Sequence, residues 1–150
     1  MPSGASKRAP QPRSPAALIA LEAFAGDRFL HQVREPSELQ LYACDDLCEA
    51  LCDPHALPGH REWRVHFHVP LQVDPAPPLR STRSELEETL RSLFGGPTCA
   101  TDHVEVETYT WEVLPPEQRP RSDDDLVAGI ADEIAWTYGQ LLALGLDKIR

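Results

Sequence analysis

"WRVHFHVP", residues 63–70, and "HVEVETYTW", residues 103–111, decide how the fold reads. In the first, Val65, Phe67 and Val69 alternate with His66 and His68; in the second, Val104 and Val106 alternate with His103, Glu105 and Glu107. Successive side chains of a strand point to opposite faces. Each stretch therefore reads as a strand with one apolar face and one face of imidazoles or carboxylates. A strand covered by helices on both sides would be apolar throughout, so the polar faces must look onto something other than a helix.

The sequence between and beyond these stretches reads as helix. After the Pro-rich "DPAPPLR" (74–80), Thr82 and Glu85 form a capping-box pattern. Leu86, Leu90, Leu93 and Phe94 then recur at helical spacing until Gly95, Gly96 and Pro97 end the run. Past the irregular "LPPEQRPRS" (114–122), Ser122 and the acidic turn Asp123, Asp124 and Asp125 suit a helix start. Leu126, Ile130, Ile134, Tyr138 and Leu141 mark the face this last helix turns to a core. The order strand, crossover helix, strand, helix predicts an α/β fold with neighbouring parallel strands.

A closed parallel barrel gives strands of this kind an outer face for helices and an inner face for chemistry. The two polar faces would then converge, with His68 and Glu107 near the C-terminal ends and His66 and Glu105 one layer lower. Imidazoles and carboxylates brought together in this way suit a divalent metal such as zinc, manganese or iron. They equally suit a general acid and base pair, or a buried hydrogen-bond network that holds no ion. Arg80, Ser81 and Thr82, at the start of the crossover helix, are the candidate anion or phosphate contacts; plain capping by Ser81 or Thr82 is the alternative. Trp111 either lines a ligand pocket or seals the mouth of the barrel.

The first half is less regular. Ser14 and Pro15 begin a helix through "AALIALEAFA" (16–25) that Gly26 can end. "RFLHQV" (28–33) and "LQLYA" (39–43) flank "REPSE" and read as a short hairpin or two extended segments. Asp45 or Asp46 can cap a short helix, "LCEALC" (47–52), that stops before Pro54. Cys44, Cys48 and Cys52 share one helical face but spread over roughly 12 Å at 1.5 Å per residue, too far for one metal; they read as small packing residues. Four cysteines do not make a secreted disulfide scaffold, so reduced thiols and a cytoplasmic address are expected.

The chain has 150 residues and a formal charge of −10, enough length to bury a core and the wrong sign for nucleic acid or anionic membrane. No apolar run approaches the roughly 18 residues of a membrane span. Residues 1–14 read as a disordered or irregular lead-in and 15–150 as the folded part.

"WRVHFHVPL", "LRSTRSELEETL" and "HVEVETYTWEVLP", in that order, resemble the C-terminal part of the xylose isomerase-like TIM-barrel proteins, which include sugar-phosphate isomerases and epimerases. Within them the match is nearest to the metabolite-traffic (EboE) subgroup, and it covers about residues 15–143. The resemblance implies the last βα units of a (β/α)8 barrel and a divalent metal held by Glu107 or Glu105 with His68 or His66. It implies isomerase or epimerase chemistry on a sugar or small hydroxylated metabolite, with Glu107 and His68 as catalytic groups. A metabolite-binding role without turnover is the alternative. The subgroup's gene neighbourhood implies a membrane prenyltransferase-like partner. A full barrel takes about 250 residues, so the chain is expected to be a C-terminal fragment that depends on the missing strands.

Overall fold

The computed structural model describes residues 14–26, 29–66, 69–107 and 111–146. They fall into two compact units, Met1–Phe67 and His68–Arg150.

The first unit is built on a hairpin. Helix α1 (Pro15–Glu22) starts as its sequence dictates, with Pro15 in the first turn and the Ser14 hydroxyl accepting the Ala17 N–H at 3.2 Å. Strands β1 (Val33–Pro36) and β2 (Leu41–Cys44) pair antiparallel, Val33 opposite Cys44 and Glu35 opposite Tyr42. Ser37 closes the turn: its N–H and hydroxyl both donate to the Gln40 carbonyl, while the hydroxyl oxygen accepts the Leu39 and Gln40 N–H groups. Helix α2 (Leu47–Cys52) follows. The Asp46 side chain does not cap it; the carboxylate accepts the His31 N–H instead. Strand β3 (Arg64–Val65) completes a three-stranded sheet of order β2-β1-β3.

β3 overturns the barrel. Val65 lies opposite Val33 and Arg64 opposite Arg34, so the strand runs antiparallel to β1 on the free edge of the hairpin. The second expected strand is not formed: residues 103–107 make no ladder, and residues 108–110 lie outside the described residues. Among the described residues there is one open antiparallel sheet and no parallel pair. The α/β assignment as a partial (β/α)8 barrel with parallel C-terminal βα units is therefore corrected. The alternation of residues 63–69 fits a strand of any sheet, and the parallel pairing was supplied by the crossover rule rather than by the residues.

The second unit is mainly helical. Helix α3 (Arg83–Phe94) buries Leu90 and Phe94, as its spacing predicts, and ends at Gly95. Thr82 stands at its N-cap without a side-chain cap bond, so the capping box is not made. Two single 3₁₀ turns, Trp111–Val113 and Pro116–Gln118, lead to α4 (Asp123–Ala143). Ser122 caps α4 by accepting the Asp125 N–H at 3.2 Å, and the three aspartates of the first turn complement the positive end of the dipole.

The buried line of α4 is not the expected one. Ile134 is 52 % exposed and Tyr138 38 %, while Glu133 and Thr137 are buried. One residue on a helix is a rotation of about 100°, so the face turned inward carries a carboxylate and a hydroxyl. Among the described residues no helix is long and apolar enough to cross a membrane.

Candidate ligand cavity in the second unit

Glu133 lies one turn below Gly129 on α4, and the two residues together set the position of Trp111. A Cβ at Gly129 would stand 2.7 and 2.9 Å from Cζ3 and Cζ2 of the Trp111 ring, and closer still to Cη2. The indole therefore lies directly on the helix backbone, which only glycine permits at this approach. From there its Nε1–H donates to Glu133 Oε2 at 2.9 Å. The other oxygen, Oε1, accepts the Leu71 N–H at 3.1 Å. Thr137, one turn further on, donates its hydroxyl to the Glu133 carbonyl at 3.0 Å.

These residues form one wall of a cavity of about 230 Å³ that lies wholly within the second unit. Trp111, Trp136, Leu86, Leu90 and Leu114 are among its apolar lining, and the 69–71 segment also contributes. Glu105 and Glu107 also line it, and both are exposed. At roughly 30 Å³ per water-sized group, the space holds about eight heavy atoms.

Glu133 is 3 % exposed and carries the chemistry of the cavity. A carboxylate offers about four acceptor sites, and here two are filled by N–H donors. Among the described residues no Lys, Arg or His pairs with it or lines the cavity. A buried anion without a countercharge is costly, and the two N–H bonds offset part of that cost.

Of the residues singled out in the sequence, His66 belongs to the first unit and Glu105 and Glu107 to the second. His66 is exposed; its Nδ1 lies 3.0 Å from Gln32 Oε1, and its N–H donates to the Gln32 carbonyl. His68 lies outside the described residues. Glu105 approaches His103 at 3.4 Å, on the same exposed segment. Among the described residues no three His, Cys, Asp or Glu side chains are grouped to hold a metal ion. The described members of the set expected for zinc, manganese or iron, His66, Glu105 and Glu107, thus form no such group.

At the start of α3 the anion is internal. Ser81 donates to Asp74 Oδ1 at 3.0 Å, and Arg83 binds Asp74 Oδ2 and the Gln72 carbonyl. Arg80 and Thr82 are exposed there. Trp111 lines the cavity, the first of its two readings.

Glu133 escaped the sequence reading because a carboxylate inside an apolar helix passes for a solvated residue. A signal did exist: Gly129, Glu133 and Thr137 recur at i, i+4 and i+8, a small and polar line along α4.

The first unit carries a different buried carboxylate. Glu35, 1 % exposed, accepts the N–H groups of Gly59, His60 and Arg61 at 2.7–2.8 Å and Nε1–H of Trp63 at 2.9 Å. Gly59 holds φ +70°, the left-handed conformation that turns this loop around the carboxylate. Burial pushes the Glu35 pKa up, but the four donors outweigh it and hold the group below the ordinary value of 4.5. Cys44 shows the opposite balance. Burial lifts its thiol above the ordinary range, a bond to the Asp46 backbone opposes this, and Glu49 adds to the rise, which keeps the sulfur protonated.

No protein-family model matches the chain, and searches of the curated proteins and of the solved structures found no match either.

Proposed function

We propose that this chain is a small-molecule binding protein whose second unit holds a metabolite in the cavity above Glu133. One observation carries the reading: a space of about 230 Å³, walled by two indoles and aliphatic side chains, has a single buried carboxylate set into it. A mostly apolar pocket with a few fixed polar groups is the usual form of a small-ligand site. The ligand's apolar body would pack between Trp111, Trp136 and the leucines of α3. A donor on the ligand would take the acceptor sites of Glu133 that Leu71 and Trp111 leave open. Glu105 and Glu107 would meet whatever part of it reaches solvent.

This is the metabolite-binding alternative rather than metal-dependent isomerase chemistry, for which the described residues supply no ligand group. The metabolite-traffic role implied by the resemblance agrees with a protein that holds a compound without converting it. The test is thermal stabilisation by a panel of compounds of about eight heavy atoms, with Leu86→Trp as the control that fills the space. Saturable stabilisation lost in that variant supports the proposal. Stabilisation equal in both proteins, or absent throughout, refutes it.

A further inference from the structure

The lining of the cavity also selects the charge of its occupant. We infer that the ligand is a small organic cation, an aromatic or aliphatic body ending in a protonated amine; the inference rests on the cavity being a binding site. Three features agree. Glu133 is buried as an acceptor with two N–H bonds and, among the described residues, no cationic partner. An ammonium group supplies both the missing donors and the missing charge, in bonds stronger than a neutral hydroxyl makes. Trp111 and Trp136 add two indoles to the same lining, the best aromatic partners for a cation. The charged residues of the described lining are Glu105, Glu107 and Glu133, all acidic, on a chain of net charge −10. An anionic ligand would find like charge and, among the described lining residues, no cationic donor.

The position of Glu133 fixes which end enters. Its carboxylate sits in the wall with Trp111 donating to it from one side and the Leu71 backbone from the other. The amine therefore points at α4, beside Trp136, and the apolar body lies along Leu86 and Leu90.

Benzylamine, benzyl alcohol and benzoate share one ring and differ in a positive, neutral or negative tip. Titrated into the full chain and followed by tryptophan fluorescence and by melting temperature, benzylamine should bind about tenfold tighter than benzyl alcohol, and benzoate should not bind. Glu133→Gln should bring benzylamine to the level of the alcohol while the alcohol's own affinity changes little. Trp136→Leu leaves the Glu133 hydrogen bonds in place and is the second probe if Glu133→Gln fails to fold. It should cost benzylamine severalfold more than it costs the alcohol. Equal binding of all three compounds, or a preference for the alcohol or benzoate, overturns the cation assignment and leaves the binding reading standing. If none of the three binds at millimolar concentration, both fall.

Discussion

Glu35 and Glu133 are both buried carboxylates, and both accept an indole N–H, from Trp63 and Trp111. They differ in how completely they are satisfied. Glu35, on β1, takes four donors, two on each oxygen, and every one comes from the 59–61 loop or from Trp63 just after it. Glu133 takes two, one on each oxygen, and opens onto a cavity. The same residue pair is thus a clasp in one unit and part of a cavity wall in the other. What separates the two is unfilled acceptor capacity beside a cavity, since burial is common to both.

The largest expected effect comes from breaking the clasp. Glu35→Ala strands four donors and should cost about 3 kcal/mol or more in chemical denaturation. Glu35→Gln should be nearly as damaging, because either amide orientation sets its NH₂ against two N–H groups. The folded pKa of Glu35 is lowered, so its stability contribution is complete above the ordinary value of 4.5 and disappears as the pH falls through the lower folded value. Unfolding free energies measured across that acid range should slope for wild type and flatten for Glu35→Ala.

Gly129→Ala comes next. The added methyl runs into the Trp111 ring, and overpacking of this kind costs about 1–3 kcal/mol, more than the roughly 1 kcal/mol of helix propensity gained. The near-ultraviolet signal of Trp111 should change, and ligand stabilisation should fall with it. Glu133→Gln should cost less, about 1–2 kcal/mol, since the amide oxygen keeps one N–H and only the other is lost. An equal loss for Glu35→Gln and Glu133→Gln would erase the distinction between clasp and wall. Ser122→Ala should remove about 1 kcal/mol through the lost cap of α4, without touching binding.

Legibility from sequence followed the same division. The Ser14–Pro15 start and the spacing of Leu90 and Phe94 are local features, and local chemistry determines them; a hairpin was one of two readings, but β1 takes Arg34–Pro36 from the expected connection. The sheet's topology was not legible. Residues 64–65 pair with β1, more than twenty-five residues upstream, and nothing in the alternation of His66 with its neighbours distinguishes that edge from a parallel partner. The face of α4 was misread because its apolar residues outnumber the polar pair that is buried. Ile134 and Tyr138 follow the helical period and face outward, while the buried line is set by the close approach of Trp111 to Gly129. Of the cavity lining, Trp111 was legible as a pocket residue, whereas Glu105 and Glu107 were expected as ligands on a barrel strand and line the cavity from a segment that forms no strand; Glu133 became visible only with the third dimension.

Calorimetric titration of benzylamine into the wild-type chain and into Leu86→Trp addresses the cavity above Glu133 most directly. The account predicts one saturable site in the wild type and no measurable heat of binding once the indole fills the space. Binding that survives Leu86→Trp unchanged, or a wild-type protein that takes up no benzylamine, would contradict it.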